Sequence, residues 1–301
     1  MASFLGIATT PDSWVTLRED VEGDPPGYER ILDEASSAGY DGIELGDYGL
    51  MPVEPEVLRD VLSEMGLALA GAFLPVPIAD PDARVDGTEE AIRVAQLLAD
   101  AADESPLLIL ADEYGKDTVR SASAGRVELG QGYSMQEWQV AAHTANQLAL
   151  SVLNETGIRT AFHPHCASHI ETAEELEILM DVTHPQILGL CVDTGHYAYA
   201  GGDPLQVLRR YADRVWHVHL KGYNAAVTAE ARDRGLDYVE AVGEGIFCEL
   251  EQSAFDSASL ITELEALEYS GWLVVEQDAS REGSTFEIAE RNRAFLRDLE
   301  I

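Results

Sequence analysis

Eight short apolar runs alternate with amphipathic stretches from one end of the chain to the other. This alternation constrains the fold more than any other feature. The runs predict strands over residues 4–9, 40–45, 67–74, 107–111, 158–163, 188–193, 214–220 and 272–276. The amphipathic stretches predict helices over residues 28–37, 56–65, 89–103, 135–155, 173–180, 204–212, 258–268 and 286–299. Helix-ending glycines are expected before four of the strands, at Gly39, Gly66, Gly157 and Gly271.

Strands that alternate with helices in this way form parallel sheets, and eight such units favour closure into a barrel. We therefore predict an α/β fold, a single (β/α)₈ TIM barrel that occupies residues 1–301 as one domain. A doubly wound open sheet is the alternative, but no GxGxxG sequence follows the first strand. No linker rich in Pro, Gly or Ser divides the chain.

Two longer segments interrupt the regular spacing of strands and helices. They span residues 112–132 and 222–256, and the second contains a short helical pattern over Ala225–Arg234. Both follow the carboxyl ends of predicted strands, where barrels of this kind place their active sites. We therefore expect both segments to cover the mouth of the barrel.

The composition is typical of a globular protein. Apolar residues make up 46% of the chain, and no run reaches the roughly 18 apolar residues that a membrane span needs. The formal net charge of −36 repels phosphate backbones and anionic membranes, so we expect neither nucleic acid nor a membrane as partner. The three cysteines form no CxxC pair and the N-terminus does not resemble a signal peptide, which predicts a cytoplasmic protein.

Histidines are concentrated in one part of the chain. Seven of the eight lie between His163 and His219, and six of those seven lie at or just beyond the ends of three successive predicted strands. The carboxyl ends of neighbouring barrel strands meet at one mouth. The sequence therefore predicts that these imidazoles converge there.

Period-two alternation along residues 214–220 assigns polar side chains to the barrel interior. The inward face is predicted to carry Val215, His217, His219 and Lys221. The face toward the helices is predicted to carry Trp216, Val218 and Leu220. Since buried polar groups need partners, these inward residues indicate a functional site.

Acidic residues end the inward rows of other strands. Asp193 and Glu276 lie at the mouth ends of the predicted strands on either side of the strand that carries His219. Glu44 points inward at the end of the second predicted strand, and Glu171 lies just beyond the end of the fifth. Glu171 also suits the start of a helix, where the helix dipole favours a carboxylate. Imidazole and carboxylate ligands together suit one divalent metal ion, either Mn²⁺, Co²⁺, Zn²⁺ or Mg²⁺.

In these residues the chain resembles the xylose isomerase-like superfamily of metal-dependent barrels, and within it the inosose (2-keto-myo-inositol) dehydratases. The likeness covers nearly the whole chain. It is strongest in residues 162–172, 193–197, 214–221, 235–242, 245–248 and 271–278. The sequences Asp-Thr-Gly-His at 193–196 and Val-Val-Glu-Gln-Asp at 274–278 identify the superfamily, whereas the segment 235–248 is more particular to the dehydratase-like branch.

The chain also departs from the pattern of these relatives. Many members place a ligand glutamate inside the strand where this chain has Thr160 or Ala161. The resemblance implies Glu171 as the replacement ligand, with His163 or His165 as alternatives. Near the mouth, Gly222 stands where the dehydratases usually have aspartate, and residues 249–254 replace a glycine-rich turn. The relatives' substrate therefore does not transfer directly.

The resemblance implies a metal-dependent lyase that dehydrates an inosose-like keto-cyclitol through enolate formation and loss of a β-hydroxyl. The expected metal ligands are Glu171, Asp193, His219 and Glu276. The candidate acid–base residues are His163, His165, His196 and Lys221. The candidate substrate-binding residues are Glu44, Trp14 and Tyr197, of which Trp14 equally suits lid packing.

Two other functions stay open from the sequence. A metal-dependent sugar isomerase or epimerase would use the same residues, because it also moves a proton next to a carbonyl. A sugar-binding or partner-dependent subunit would lack catalysis of its own. A small sugar or cyclitol is the expected partner in each case, and a homo-oligomer is left open.

Overall fold

The computed structural model describes residues 5–15, 26–103, 105–278 and 283–301. Its barrel strands are β1 (Leu5–Thr9), β2 (Gly42–Glu44), β3 (Ala68–Val76), β4 (Leu107–Asp112), β5 (Arg159–Phe162), β6 (Leu188–Asp193), β7 (Val215–Leu220) and β10 (Gly271–Val275). They close in the order β1-β10-β7-β6-β5-β4-β3-β2, and every neighbouring pair is parallel. The predicted (β/α)₈ barrel is confirmed.

Each predicted helix has a counterpart in the structure. The described helices are α1 (Asp12–Val15), α2 (Tyr28–Ala38), α3 (Pro55–Met65), α4 (Arg84–Ala101), α5 (Thr118–Ser123), α6 (Met135–Thr156), α7 (Ala173–Val182), α8 (Thr194–Tyr199), α9 (Pro204–Arg210), α10 (Ala225–Arg234), α11 (Tyr238–Glu244), α12 (Ser257–Ala266) and α13 (Thr285–Asp298). Helix α4 begins at Arg84, earlier than the predicted residue 89. Gly87, inside its first turns, lets the helix approach the side chain of Val76. None of the described helices is long and apolar enough to span a membrane.

Local sequence signals fix many helix ends. Capping boxes begin α6, α7, α11 and α13, each with a Ser, Thr or Asp cap and a glutamate three residues later. Gly39, Gly66 and Gly157 end α2, α3 and α6 with positive φ angles, as predicted. The prediction for Gly271 was wrong, because α12 ends at Ala266 and Gly271 is the first residue of β10. A Cβ atom there would lie 2.9 Å from the hydroxyl of Tyr269.

The predicted alternation is also wrong at the start of β7. The pairing of β6 with β7 shifts register between Leu190 and Cys191, where a β-bulge lies. Val215 therefore packs in the main core beneath the helices, and Trp216 packs with the interior cluster that contains Cys191. The sequence predicted the opposite orientation for each of these two side chains. Beyond the bulge His217 and His219 point inward as expected, because both contact Glu44 across the barrel.

The two insertions form compact structure after their strands. The first contains α5, which the sequence did not predict. The second contains α10 with the predicted bounds, α11, and an antiparallel pair of short strands, β8 (Gly222–Tyr223) and β9 (Phe247–Cys248). A hydrophobic cluster joins α11 and β9 to Cys166 and Tyr199. Both insertions are therefore packed onto the same end of the barrel.

Candidate metal centre and active site

Four strands bring potential metal-ligand atoms together at the mouth. Asp193 ends β6, His219 lies near the end of β7, and His163 and Glu276 directly follow β5 and β10. His219 Nδ1 lies 2.8 Å from Glu276 Oε2 and 3.9 Å from Asp193 Oδ2. His163 Nε2 lies 3.5 Å from the same oxygen of Asp193. The structure thus gathers two imidazoles and two carboxylates.

Two atoms of this cluster lack a hydrogen-bond partner within the described part of the chain, Asp193 Oδ2 and His163 Nδ1. Asp193 uses its other oxygen to accept a hydrogen bond from the His196 amide at 2.8 Å. A buried carboxylate oxygen without a hydrogen bond is costly unless a cation lies against it. The donor set of nitrogen and oxygen atoms therefore fits a divalent metal ion.

Glu44 lies beneath the histidines and is fully buried. Its Oε1 atom accepts hydrogen bonds from His217 Nε2 at 2.8 Å and His219 Nε2 at 3.1 Å. Burial favours the protonated carboxyl, but His219 and His217 outweigh it and lower the pKa of Glu44 to about 2. A carboxylate in this position orients His219 from below, as supporting residues do in metal sites. The structure thus does not place Glu44 against the cavity, where a substrate-binding role was expected.

Lys221 is buried beside the cluster, where its ammonium group lies 3.8 Å from Asp193 Oδ2 and within hydrogen-bond distance of three further side chains. Its ammonium group lies 2.9 Å from Glu276 Oε1, 3.0 Å from Asp278 Oδ2 and 3.0 Å from His196 Nε2. Burial alone would lower the pKa of Lys221, but Asp278 and Glu276 raise it well above its ordinary value. Burial and Lys221 also lower the pKa of His196 well below its usual range. Lys221 is therefore a fixed cation that holds Glu276, and His196 stays neutral behind it.

His165 is the imidazole that faces the cavity without taking part in the four-residue cluster. Its Nδ1 atom lies 2.7 Å from the carbonyl oxygen of Cys166, so Nδ1 carries the hydrogen and Nε2 the lone pair. The ring stacks on Tyr114 with centroids 3.8 Å apart. Burial, followed by His163 and Lys221, lowers the pKa of His165 to about 3. This imidazole is therefore neutral, and its Nε2 atom carries no proton.

A cavity of about 400 Å³ opens over the cluster. Of the predicted residues, His163, His165, His219 and Glu276 line it. Tyr114 and Gly115 from the first insertion, and Tyr238, Val239 and Val242 from the second, form part of its wall. This volume lies within the range of small-molecule sites.

Several cavity residues were missed by the sequence analysis. They are Asp12, Val15, Asp47, Phe73, Pro75, Tyr114, Gly115, Tyr238, Val239, Val242 and Asp278. Asp278 could have been found, because it continues the inward alternation of Glu276. Asp12 also carried a signal, because it follows β1 at the carboxyl end of the barrel. Burial, with Glu276 and Glu44 nearby, raises the pKa of Asp12 to about 7.

Two other predicted substrate residues lie away from the cavity lining. Trp14 is 1% exposed in the main core, and its indole nitrogen donates to Glu34 at 2.6 Å. Trp14 thus takes the packing role that its sequence position equally suited. Tyr197 is only partly buried and packs against the main core and Gly202. Neither residue is among those that line the 400 Å³ cavity.

Glu171 lies outside the cluster of ligand atoms. Its two carboxylate oxygens accept hydrogen bonds from the backbone amides of Gly125 at 2.6 Å and Ala167 at 2.8 Å. The Nη2 atom of Arg120 lies 4.0 Å from the Oε2 atom of Glu171. Burial raises the pKa of Glu171 to about 7. The geometry therefore does not support the expected ligand role of Glu171, because both oxygens hold the backbone, and His163, the stated alternative, lies in the cluster instead.

Similarity to known proteins agrees with this architecture. Residues 32–299 match the family model of the xylose isomerase-like TIM barrel. The chain is 35% identical over 276 residues to the rhizopine catabolism protein MocC of Rhizobium meliloti, and the alignment covers 90% of this chain and 81% of that protein. It is 30% identical over 274 residues to an inosose dehydratase of Geobacillus kaustophilus, and the alignment covers 91% of this chain and 87% of that protein.

A solved structure shows the same fold at lower identity. The probable 3-DHS dehydratase AsbF from Bacillus anthracis superimposes with a TM-score of 0.71 at 16% identity, over 97% of this chain and 98% of that one. The closed barrel, the extent of the family match and the two relatives lead to one assignment. This chain belongs to the xylose isomerase-like TIM barrel family.

Proposed function

We propose that this protein is a metal-dependent lyase that removes water from a keto-cyclitol related to inosose. The observation that carries the proposal is the cluster of His163, Asp193, His219 and Glu276, three of which line a cavity of about 400 Å³. The relative named inosose dehydratase, which aligns over most of both chains, supports the choice of reaction.

These four residues are the proposed metal ligands. Asp193 Oδ2 has no hydrogen bond from any described residue, and His219 is oriented by Glu44 so that Nδ1 faces the cluster. Mn²⁺ or Co²⁺ is the expected ion, with Zn²⁺ or Mg²⁺ as alternatives. A bound divalent ion supplies Lewis-acid polarisation of a substrate carbonyl, which makes the neighbouring C–H group more acidic.

The chain's own residues then move two protons. We assign His165 Nε2 to remove the proton from the carbon next to the ketone, because that atom carries a lone pair at the cavity wall. The electron pair of the broken C–H bond forms the carbon–carbon double bond as the β-hydroxyl leaves. Asp12 lines the same cavity, and since burial raises its pKa to about 7, we assign it to donate a proton to the departing hydroxyl, which leaves as water.

Lys221, His196 and Glu44 act on these groups rather than on the substrate. Lys221 fixes Glu276 and Asp278, His196 contacts Lys221, and Glu44 orients the histidines from below. The substrate-binding residues are proposed among the cavity lining, with Tyr114, Tyr238 and Asp47 as polar members of that lining. The cytoplasmic location, the single domain and a homo-oligomer stay predictions.

Product mass tests this function. Purified protein is incubated with Mn²⁺ and a panel of inososes and ketoses, and the products are analysed by mass spectrometry. Loss of one water from an inosose supports the lyase. Conversion of a ketose with unchanged mass assigns the protein to the isomerases or epimerases. Binding of a ring compound with no product at all leaves a sugar-binding or partner-dependent subunit.

A further inference from the structure

A buried arginine outside the cavity connects the first insertion to the loop that carries two site histidines. Arg120, in α5, has no solvent exposure. Its guanidinium donates to both carboxylate oxygens of Glu175, at 2.8 and 3.0 Å. Its Nε atom donates to the carbonyl oxygen of Ser168 at 2.7 Å. The Ser168 hydroxyl in turn donates to the carbonyl oxygen of His165 at 2.7 Å. A continuous set of hydrogen bonds therefore runs from Arg120 to the backbone of His165.

The same loop contains a strained residue. Ala167 has a φ angle of +64°, in the left-handed region that residues other than glycine rarely adopt. Its amide donates to Glu171 Oε2, and Glu171 Oε1 accepts from the amide of Gly125 in the first insertion. Strain of this kind persists only when surrounding contacts hold it, and it is common close to functional sites. Here it lies two residues after His165.

His163 and His165 are anchored differently. The His163 amide donates to the carbonyl oxygen of Leu110 in β4 at 2.7 Å, so the sheet itself fixes this residue. The backbone of His165 is held by Ser168, whose amide and hydroxyl both donate to its carbonyl oxygen. Loosening the loop should therefore displace His165 and leave His163 in place.

We propose that Arg120, Ser168, Glu171 and Glu175 are positioning residues that hold His165 against the cavity, and we call these four residues the Arg120 clamp. The inference rests on the proposed function, because it concerns the proton acceptor of that site. Replacing both partners of a buried ion pair by apolar residues is often neutral for stability, so stability alone does not explain why Arg120 and Glu175 are both charged here. The arrangement does explain how a loop with a strained alanine keeps one conformation.

The matched test compares two buried arginines. Arg214 is also buried, and it donates to Met180, Thr183 and Leu188 near the amino end of β7, away from the mouth. Arg120→Met should lower kcat by about 100-fold while Mn²⁺ affinity and KM change by less than about threefold, because a catalytic group shifts and the metal ligands do not. Arg214→Met should lower Tm and leave kcat unchanged. Arg120→Lys, which keeps the charge, should recover part of the lost rate.

Hydrogen exchange gives a readout that needs no turnover. The amides of Ala167, Ser168, Ile170 and Glu171 all donate hydrogen bonds within the loop or to the clamp. Arg120→Met should speed exchange in the peptide covering 163–172 by at least about tenfold, and Arg214→Met should not. Ser168→Ala, a smaller change, repeats the test if Arg120→Met fails to fold.

The outcomes separate this inference from the proposed function. Unchanged kcat and unchanged exchange in a folded Arg120→Met or Ser168→Ala protein would overturn the clamp. Loss of bound Mn²⁺ in these variants would also contradict it, because the clamp would then hold the metal ligands rather than His165. Failure of wild-type protein to convert any inosose or ketose counts against the proposed function alone, since exchange still decides whether Arg120 fixes the loop.

Discussion

His219 donates a hydrogen bond from Nε2 to Glu44 Oε1 over 3.1 Å, and this contact turns the opposite ring nitrogen toward the mouth. Glu44 must be the acceptor, because His217 and His219 together hold its pKa at about 2. The exposed fraction of the Glu44 side chain is 1%, so it reaches neither the cavity nor the solvent. A residue on the second strand thus sets which nitrogen of His219 would face a metal ion in the proposed site.

Replacing this carboxylate should weaken metal binding without removing a ligand. Glu44→Gln keeps the side-chain shape but loses the charge that orients His219, so we expect Mn²⁺ affinity to fall by about 10- to 100-fold. Calorimetric titration with Mn²⁺ measures this change. Glu34→Gln, at a carboxylate that contacts Trp14 and Arg30, is the control and should bind Mn²⁺ as wild type does. Equal affinity in Glu44→Gln and the control would show that Glu44 has no orienting role.

The proposed ligand set predicts which variants lose their bound metal. Asp193→Asn, His219→Ala, Glu276→Gln and His163→Ala should each fold and lose most of their bound metal, because each removes either a negative charge or a nitrogen ligand from the cluster. Glu171→Gln should keep its metal, because Glu171 holds backbone amides instead. Elemental analysis of the purified variants gives the metal content. If Glu171→Gln loses metal while His163→Ala retains it, the two roles must be exchanged.

Asp112, a buried carboxylate away from the proposed metal ligands, predicts how stability depends on pH. Burial raises the pKa of Asp112 to about 6, although bonds from Tyr133 and His169 lower it. The folded state therefore binds this proton more tightly than the unfolded state. The resulting stability is present at low pH and is lost as pH rises through about 6.

Comparing wild type with Asp112→Asn isolates this effect, because the contributions of all other titrating groups are the same in both proteins and cancel in the difference. Relative to the variant, the free energy of unfolding of wild type should fall by about 1 kcal/mol between about pH 5 and about pH 8. Urea unfolding at several pH values measures it. Asp233→Asn, at an exposed position in α10, is the control and should show a constant difference. A constant difference for Asp112→Asn as well would contradict a raised pKa at Asp112.

The inward position of Trp216 predicts a steric effect at Gly189. A Cβ atom on Gly189 would lie 2.1 Å from the Trp216 ring, so Gly189→Ala should destabilise the protein by about 1–3 kcal/mol. Combining it with Trp216→Leu should recover part of the loss. Gly243→Ala, where an added Cβ meets no heavy atom within 4 Å, is the control. Denaturant unfolding that shows no cost for Gly189→Ala would mean that Trp216 faces the helices, as the simple alternation predicts.

The barrel could be predicted from the sequence, because the periodicity of apolar residues within each strand and helix is a local pattern. Alternation within β6 placed Gly189, Cys191 and Asp193 inward, and the structure agrees, since Cys191 and Asp193 lie opposite His217 and His219 in β7. The exchange of Val215 and Trp216 could not be predicted, because a bulge depends on pairing between strands. The sequence of one strand does not show where its register shifts.

The site was predictable only where a residue ends a strand. Asp193, His219 and Glu276 are placed by the strands that carry them, so period and position were enough to bring them together. Glu171 lies in a loop, whose path depends on long-range bonds such as that with Gly125. Tyr238 reaches the cavity from an insertion, and it packs in one hydrophobic cluster with Phe247 and Cys166 through tertiary contacts that no local pattern reports.

The central claim is that this cluster supports metal-dependent loss of water from a keto-cyclitol. The most direct measurement is the product mass after incubation of an inosose with three samples: chelator-treated protein, the same protein reloaded with Mn²⁺, and Mn²⁺-treated Asp193→Asn. The account predicts a product lighter by one water with the reloaded wild-type protein and unchanged substrate in the other two samples. Dehydration that proceeds equally well in metal-free protein, confirmed by elemental analysis, would contradict it.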